Sequence, residues 1–585
     1  MKGEFVWDDV FFTKRQEMQS ISYIPKLWVE SVLPDKQASG LYRPFTMTTF
    51  SLNLATGGLS PFSFHLVSIL LNGAVTFMVA VVIFTLFRRK DLAIFTALLF
   101  AFLPIHTEAI ALMKARDELL SGLFILLSWR FFLKSHNDEG KVIPKQFLLS
   151  TLFFTLGLFS KEFTVVAPVL FYLVYLIQHG IHPLGQRIKS VLLGLLFFGV
   201  PVLGYLLLRS IAIPETSFGN DDISPISNIL VVAPFLTDVF TAFKILFIYV
   251  SKIIFPMDLT ASYHFKAVTL VVDFFSSWRA VAGLGILTSL VTLISLRRTR
   301  TTPIGVGALI FLILYIPVSQ FIFKGGDIMG ERWMYVPSIG IALILAGIFT
   351  FFYQYKKVLS TIFGIFILII YGGVTISRNT VWQNEEKLFT SMIEDSPRSV
   401  RGYSALAQHY FERGKYDEAA RLVKQGLAIS NQEPNLYVIG ASLAYKQNKY
   451  DDAEVMIRKA LEVDTFSSAA ILNFPRILFA QGKYEEARLW YNEYISQLPP
   501  SSVRFQERLL YASILTKLGR YKQSTEYINK EFSSDDVTHH DVLMLISVNA
   551  YYNGNTNEAL KFFPDEKGLS NSQKINMIKN FVIVP

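Results

Sequence analysis

The chain has 585 residues, no cysteine and a formal net charge of +9. Charged residues make up 17% of the chain, against about 25% in soluble globular proteins, and the mean hydropathy is +0.39, so it is too apolar for an ordinary soluble enzyme. The absence of cysteine excludes a disulfide framework, cysteine-bound zinc, iron–sulfur clusters and a catalytic thiol. A basic balance is typical of proteins that bind nucleic acid or anionic lipid, unless the charge is confined to particular loops.

The charge is divided unevenly along the chain. Residues 1–378 carry 31 Lys and Arg against 21 Asp and Glu, whereas residues 379–585 carry 24 against 25. The long apolar runs also lie in the first part. We therefore predict an all-α protein in which a polytopic membrane helix bundle over residues 1–378 is joined by a juxtamembrane linker helix at 379–396 to a soluble region.

Long apolar segments define the predicted spans, because a span needs about 20 mostly apolar residues. After a first outer loop at 1–64 we predict about ten spans, near 66–87, 92–113, 118–134, 146–160, 162–178, 190–211, 277–296, 304–323, 335–353 and 358–377. The fourth and fifth are short and meet at Lys161-Glu162. The stretch 228–256 is apolar but contains Asp238, Lys244 and Lys252, so it is predicted to lie at the interface or to be re-entrant.

The loops between these spans indicate the orientation, because cytoplasmic loops are enriched in Lys and Arg. One alternate set of loops, near 88–90, 134–145, 187–189, 297–300 and 356–357, holds 13 basic and three acidic residues, whereas the opposite set holds 14 and 18. The basic loops are predicted to be cytoplasmic, and both ends of the chain to lie on the other side. The excess of positive charge is therefore a topology signal, and nucleic acid is not an expected partner.

Five related hexapeptides recur in the C-terminal part at spacings of 34, 34, 37 and 35 residues. This period predicts a tetratricopeptide-repeat (TPR) α-solenoid over residues 397–585, a class of array that binds proteins or peptides. In each unit the Gly is expected to turn between two helices, the Tyr to pack in the elbow and the Ala to let the helices approach. The predicted packing residues are Gly414, Tyr416, Ala419, Tyr450, Ala453, Gly482, Tyr484 and Ala487. Pro475 is expected to bend or shorten the first helix of the third repeat.

Ionisable residues beside the predicted spans mark candidate functional sites, because charge near a membrane core is costly. They occur in the predicted outer segments as Asp8-Asp9, His106-x-Glu108, Arg116-x-Glu118, Lys161-Glu162 and Glu331-Arg332. Two adjacent carboxylates can hold one raised pKa, as a general base requires; the alternative is a helix N-cap followed by a solvated acid. The other pairs have structural alternatives in ordinary hydrogen bonds and internal ion pairs. Acids beside cations at this boundary suit a phosphate-bearing lipid and an acceptor that loses a proton.

An ordered set of motifs extends over most of the chain: Phe5-Val-Trp-Asp8-Asp9, Tyr42-Arg43-Pro44, Pro104-Ile-His106-Thr-Glu108, Arg116-Asp-Glu118, Lys161-Glu162, Glu331-Arg332-Trp-Met-Tyr335, Arg378-Asn-Thr-Val-Trp382 and the repeats. Together these motifs resemble the transmembrane and TPR-containing O-mannosyltransferases and their bacterial relatives. The resemblance implies a GT-C fold: a multi-span bundle that uses a polyprenyl-phosphate sugar donor at an active site on its outer face.

The same resemblance assigns roles to residues. It implies that Asp8 and Asp9 contain the catalytic base, which takes a proton from an acceptor hydroxyl as that hydroxyl attacks the anomeric carbon and the lipid phosphate leaves. The residues implied for the donor phosphate and its pocket are Arg43, His106, Glu108, Arg116, Glu118, Lys161, Glu162, Glu331 and Arg332. We expect no metal site and no cofactor, the lipid-linked sugar being a co-substrate. The expected sugar is mannose or another hexose, the acceptor is a protein or glycan, and the repeats are expected to recruit the acceptor or partner proteins.

The family has a span before the acidic pair, whereas this sequence begins seven residues before Asp8. Three explanations stay open: the start codon was placed too late, the chain is a fragment, or the protein lacks that span. The cysteine-free composition, rich in Ile, Phe and Lys, looks bacterial, which implies an inner-membrane protein with an undecaprenyl carrier and periplasmic repeats. Two other functions stay open: a non-enzymatic, membrane-anchored TPR scaffold and a transporter. The transporter is disfavoured because most ionisable residues lie near the ends of the predicted spans.

Overall fold

The computed structural model of the chain describes residues 3–13, 15–32, 40–136, 142–178, 184–213, 227–263, 268–465, 467–496, 503–533, 536–564 and 569–581. The predicted cytoplasmic cation Lys141, and the side chains of Arg187 and Lys189, lie outside the described part. The chain divides into two compact units, Met1–Gly402 and Tyr403–Pro585.

The first unit consists of α-helices joined by 3-10 turns and irregular segments. In chain order its helices are α1 (Asp9–Thr13), α2 (Pro44–Gly57), α3 (Pro61–Phe87), α4 (Lys90–Phe102), α5 (Thr107–Ala111), α6 (Arg116–Lys134), α7 (Pro144–Ser160), α8 (Ala167–Gln178), α9 (Leu184–Ala212), α10 (Phe235–Ile254), α11 (Trp278–Ser295), α12 (Pro303–Tyr315), α13 (Ser338–Tyr355), α14 (Lys357–Val381) and α15 (Glu385–Asp395). The described residues contain no β-strand, and their one strand-like contact is an isolated bridge between His136 and Val142. The predicted all-α class is confirmed.

The apolar helices make the first unit a membrane helix bundle. Five of the described helices are long and apolar enough to cross a membrane: α3, the part of α9 at residues 191–212, α11, α13 and α14. A sixth crossing results if α4 and the segment Pro104–Ala111, which meet at 54°, form one bent span. Helices also occupy the other predicted positions, but α6 includes charged residues at both ends and α7, α8 and α12 are shorter. The stretch 228–256 forms a 3-10 turn and the single 20-residue helix α10.

Two breaks between helices determine where polar residues lie at the end of the bundle. Leu103 takes an extended conformation (ψ 116°) before Pro104, because a residue that precedes proline is disfavoured in the α region, and α4 ends there. The predicted span 92–113 is therefore interrupted, and the chain turns at Pro104–His106 before α5 carries Glu108. A second break lies at Lys161, whose extended backbone (φ −157°, ψ 129°) separates α7 from the 3-10 turn at Glu162–Val166.

The bundle is held together by apolar packing and by close approach at small residues. Between α12 and α13, a Cβ added at Gly340 would lie 2.4 Å from the backbone oxygen of Gly307, so neither helix tolerates a larger side chain at this crossing. Between α6 and α7, the hydroxyls of Ser128 and Ser150 each donate to the other residue's carbonyl oxygen at 2.8 Å. Such small-residue contacts let helices associate where surrounding lipid is as apolar as their side chains.

The second unit is an array of helix pairs. It contains α16 (Val400–Glu412, which begins in the first unit), α17 (Tyr416–Ile429), α18 (Pro434–Lys446), α19 (Tyr450–Val463), α20 (Ser468–Ala480), α21 (Tyr484–Trp490), α22 (Phe505–Lys517), α23 (Tyr521–Glu531), α24 (His540–Tyr552), α25 (Thr556–Phe562) and α26 (Asn571–Lys579). Each predicted hexapeptide lies at the turn within one pair. The predicted TPR solenoid is confirmed.

The residues predicted to pack the repeats lie at the turn within each helix pair or in the helix that follows it. Gly414 and Gly482 have φ of 75° and 77°, in the left-handed region that favours glycine. Ala419, Ala453 and Ala487 are fully buried. Each predicted tyrosine contacts the aromatic ring five residues before it, at ring-centroid distances of 5.5 Å for Tyr416, 5.4 Å for Tyr450 and 5.1 Å for Tyr484.

Pro475 does not shorten the helix that contains it. It lies inside α20, which nevertheless spans 13 residues, the same length as α18, α22 and α24. The expected shortening of this helix is wrong. The buried side chains of Phe474, Ile477 and Leu478 pack into the repeat core around the proline, and this packing offsets the loss of one backbone hydrogen bond.

The turn glycines give a test of the repeat architecture. Gly482→Ala should destabilise the third repeat by about 1 kcal/mol, because a Cβ is unfavourable at positive φ. Asn448 has φ 58° at the same position of the second repeat, so Asn448→Gly is the matched control and should change stability by less. Hydrogen–deuterium exchange of the repeat amides in the full chain measures both. A larger loss of protection in Asn448→Gly would contradict the assignment of this turn.

Candidate functional site

The two adjacent aspartates of the first segment have different surroundings. Asp9 is fully buried at the start of α1, where its carboxylate accepts the backbone N–H of Lys114 at 3.0 Å and that of Val6 at 3.4 Å. Asp8 forms an ion pair with the ammonium of Lys114, and its side chain is 19% exposed. Asp9 therefore ties the first segment to the connection before α6, whereas Asp8 is partly exposed.

Their proton affinities differ for the same reasons. Burial raises the pKa of Asp9 to about 7. At Asp8 burial acts in the same direction, but the charge and hydrogen bond of Lys114, with further help from Arg401 and Arg332, lower its pKa to about 2. The raised pKa therefore belongs to the buried carboxyl of Asp9, whereas Asp8 is ionised at neutral pH.

Glu108 and Arg332 form a second ion pair, which brings distant parts of the chain together. The backbone N–H of Arg332 donates to one carboxylate oxygen of Glu108 at 2.9 Å, and its guanidinium pairs with the other oxygen. The same guanidinium reaches Asp327 at 3.5 Å. Arg332 is also near enough to Asp8 for each charge to stabilise the other.

Arg43 joins three elements through its planar guanidinium. It donates to both oxygens of Glu162, at 2.9 and 2.5 Å, and pairs through its third nitrogen with Asp117. Arg43 precedes α2, Asp117 lies in the first turn of α6 and Glu162 follows α7. All three guanidinium nitrogens are therefore engaged by carboxylates, which is the geometry of a structural clamp.

Lys161 and Glu118 form the most enclosed pair. They make a direct ion pair, and each side chain is 4% exposed. An ion pair removed from water holds only while both partners are present, because removing one leaves an uncompensated buried charge. We use the name charged cluster for the residues of these four groups: Asp8, Lys114, Glu108, Arg332, Arg43, Asp117, Glu162, Glu118 and Lys161.

Two predicted site residues are packed into the protein interior. The Nε2 atom of His106 lies 2.8 Å from the hydroxyl of Ser338, and its ring packs against Phe100 and Tyr335. Arg116 is fully buried; it donates to the side chain of Asn53 at 2.8 Å and its guanidinium stacks 4.7 Å from the ring of Phe50. Among the described residues Arg116 has no carboxylate in ion-pair contact.

Glu331 is buried beside Arg332 but faces another segment. One of its oxygens accepts the backbone N–H of Thr260 at 2.7 Å and the hydroxyl of Tyr263 at 2.6 Å. Burial raises the pKa of Glu331 to about 7, an effect that outweighs the opposing charges of Arg378 and Lys252. Glu331 thus anchors the segment after α10 to the turn that carries Arg332.

The sequence interpretation missed Lys114 and Asp117. Both lie in Lys114-Ala-Arg-Asp117-Glu118, where alternating charges just before an apolar run were the available signal. The interpretation singled out Arg116 and Glu118 and passed over their neighbours. Within the described ranges, no group of three or more His, Asp and Glu side chains is placed to hold a metal ion.

Comparisons with known proteins give a match to a family model and a match to a solved structure. A family model described as ANAPC3, anaphase-promoting complex, cyclosome, subunit 3, matches residues 378–460 and 446–531. Among solved structures, the crystal structure of YrrB, described as a TPR protein with an unusual peptide-binding site, covers 33% of this chain and 99% of its own at 15% identity and a TM-score of 0.29.

Curated relatives match most of the chain, which is more than the repeat unit alone contains. The human protein O-mannosyl-transferase TMTC4 is 24% identical over 72% of this chain and 63% of its own length. Human TMTC1 is 25% identical over 72% and 52%, and the Xenopus laevis tmtc2 protein is 27% identical over 68% and 56%. The chain is therefore similar to the TMTC protein O-mannosyl-transferases, and it spans between half and two thirds of the length of these relatives.

The pH dependence of the stability tests the raised pKa of Glu331. Its pKa is raised in the folded state above the ordinary 4.5, so its contribution to stability is fully present below pH 4.5 and is lost as pH rises through about 7. Glu331→Gln keeps the acceptor oxygen without the charge. It should therefore gain stability relative to the wild type between pH 5 and pH 8, on the order of 1 kcal/mol.

Thermal unfolding of the purified chain in detergent at both pH values measures this difference. Glu331→Ala is the control, because it leaves Thr260 and Tyr263 without their acceptor and should be destabilised at both pH values. An unchanged difference between Glu331→Gln and wild type at pH 5 and pH 8 would contradict the raised pKa.

Proposed function

We propose that this chain is a membrane glycosyltransferase that moves a sugar, mannose or another hexose, from a polyprenyl-phosphate donor to an acceptor hydroxyl on the extracytoplasmic face. The observation that carries the proposal is Asp8: an ionised, partly exposed carboxylate within the charged cluster of a chain similar to protein O-mannosyl-transferases. The lipid-linked sugar is the co-substrate, and protein cations meet the charge of the leaving phosphate without a metal or other cofactor.

Asp8 is the proposed base. A carboxylate that accepts a hydrogen bond from the acceptor hydroxyl orients the nucleophile and takes its proton as the new bond to the anomeric carbon forms. Asp9 has a positioning role in this proposal, since its oxygens are already occupied by backbone N–H groups that fix the segment carrying Asp8. Arg332, one of the cations expected at the phosphate, interacts electrostatically with Asp8 and would stabilise the leaving charge from its place on Glu108, without turning to the phosphate.

The helix repeats suit recruitment of the acceptor or of partner proteins. Helical arrays of this kind present an extended surface, and each pair of helices adds the same element to it. In the proposal, the membrane unit carries the chemistry and the repeat unit selects what is glycosylated.

Asp8→Asn tests the base. The variant keeps the size of the side chain and loses the negative charge, so sugar transfer in membranes should fall by about 10²–10⁴-fold, the usual contribution of a positioned base. Asp273→Asn removes an exposed carboxylate from another predicted outer segment and should retain wild-type activity. Transfer is measured with a radiolabelled lipid-linked sugar. Full activity in Asp8→Asn would remove Asp8 as the base.

A second candidate function is a non-enzymatic membrane scaffold. It is favoured by one observation: every carboxylate of the charged cluster is paired with a cation of the same chain, as a purely structural network would be. A scaffold predicts no transfer by the wild-type chain with any polyprenyl-phosphate sugar, so the same assay separates the two functions.

The proposed sidedness is testable because the chain has no native cysteine. Single cysteines at the exposed positions Ser276 and Ser572 should react with a membrane-impermeant maleimide in intact cells or spheroplasts, whereas one at exposed Lys357 should react only after permeabilisation. Gel-shift analysis of the labelled chain gives the result. Protection of Ser572→Cys together with labelling of Lys357→Cys would reverse the orientation.

A further inference from the structure

The cations of the charged cluster differ in how firmly each is held. All three guanidinium nitrogens of Arg43 contact carboxylates. Lys161 pairs with Glu118, and its side chain is only 4% exposed. Arg332 is held by Glu108 through both its backbone and its side chain, and also reaches Asp327. None of these three can turn to a new anion without leaving a buried carboxylate unpaired, which is costly.

Lys114 is the exception. Its ammonium pairs with one carboxylate, that of Asp8, and the two side chains are 23% and 19% exposed. The backbone N–H of Lys114 donates to Asp9, which holds the Cα in place. The four-carbon side chain beyond it is flexible. Asp8 is also more exposed than the carboxylates that Lys161 and Arg332 hold, whose side chains are 4% and 1% exposed, so loss of its cation costs less.

We propose that Lys114 binds the phosphate of the lipid donor, and that by exchanging Asp8 for this phosphate it releases Asp8 to act as the base. This inference rests on the proposed function and adds to it a phosphate-binding residue and a control step. The ligand chemistry is a phosphate ester anion on a polyprenyl chain. Arg116, the cation singled out beside it in the sequence, is fully buried on Asn53 and Phe50.

The exchange fits the charge balance of the transfer. The acceptor oxygen forms a bond to the anomeric carbon and gives its proton to Asp8, while the bond between that carbon and the phosphate oxygen breaks and its electron pair stays on the phosphate. The donor diester carries one negative charge, and the released polyprenyl phosphate carries up to two. An ammonium on this phosphate therefore interacts more strongly after bond breaking than before, which favours the transition state.

The exchange also raises the proton affinity of Asp8, as its role as a base requires. Lys114 is the largest of the influences that lower the pKa of Asp8, and burial alone would raise it. When the ammonium leaves for the phosphate, the proton affinity of Asp8 increases. The site would therefore hold a weak base until donor is bound and a stronger one afterwards.

The test measures phosphate binding separately from transfer. Purified full-length chain in lipid nanodiscs is titrated with a short-chain polyprenyl phosphate that carries no sugar, and Lys114→Gln should bind it at least about tenfold more weakly, the value of one hydrogen bond between charged groups. Lys114→Arg should stay within about threefold of wild type. Lys26→Gln, which removes an exposed charge from the first outer loop that also carries Asp8, is the control and should bind as wild type does.

Asp8→Asn gives the discriminating result. It should bind the sugar-free phosphate at least as tightly as the wild type, because the ammonium is no longer held by a carboxylate, while its transfer activity is lost. Equal binding by Lys114→Gln and wild type would overturn the role of Lys114 and leave Asp8 as the base. Retained transfer by Asp8→Asn would instead remove Asp8 as the base, and absence of transfer by the wild type would overturn the proposed function. Weaker phosphate binding by Asp8→Asn would overturn the exchange itself.

Discussion

Ionised side chains that are withdrawn from water are costly unless they are paired or hydrogen-bonded, and this constraint shapes the membrane unit. Carboxylates and cations from the first segment, from α5 and α6, from the break after α7 and from the turn before α13 meet in the charged cluster. Each pair joins segments that are far apart in the chain, such as Glu108 with Arg332. Apolar packing stabilises the helix bundle, and these ion pairs determine which helix ends lie next to one another.

The helix breaks make the pairing possible. A continuous helix through residues 92–113 would carry Glu108 along the bundle axis, whereas the bend at Leu103 and Pro104 turns α5 toward Arg332. The extended backbone at Lys161 likewise places two oppositely charged neighbours on different partners, Lys161 on Glu118 and Glu162 on Arg43. The local conformational preferences of these residues therefore determine the long-range electrostatics.

The pairing also distinguishes charged residues that hold segments of the protein together from charged residues that remain partly exposed. Arg43, Lys161 and Arg332 hold segments together through several bonds or through burial, whereas Asp8 and Lys114 form an ion pair with each other and remain partly exposed. A site that must bind an anion and activate a hydroxyl needs this second kind of group. In the proposed transferase, a rigid network of paired charges supports a single exchangeable pair.

The sequence by itself determined the all-α class, the helical segments of the membrane unit, the TPR array and the positions of its turns, because periodicity, span length and the conformational needs of Gly are local properties. It also located most of the charged cluster, since buried ionisable residues stand out against apolar runs. It did not determine that Asp8 is accessible while Asp9 is enclosed, that Lys114 is the partner of Asp8, or that His106 and Arg116 pack in the interior. Only the tertiary structure decided these points, because they depend on which distant segments meet. Neighbours such as Asp8 and Asp9 look equivalent until their partners are known.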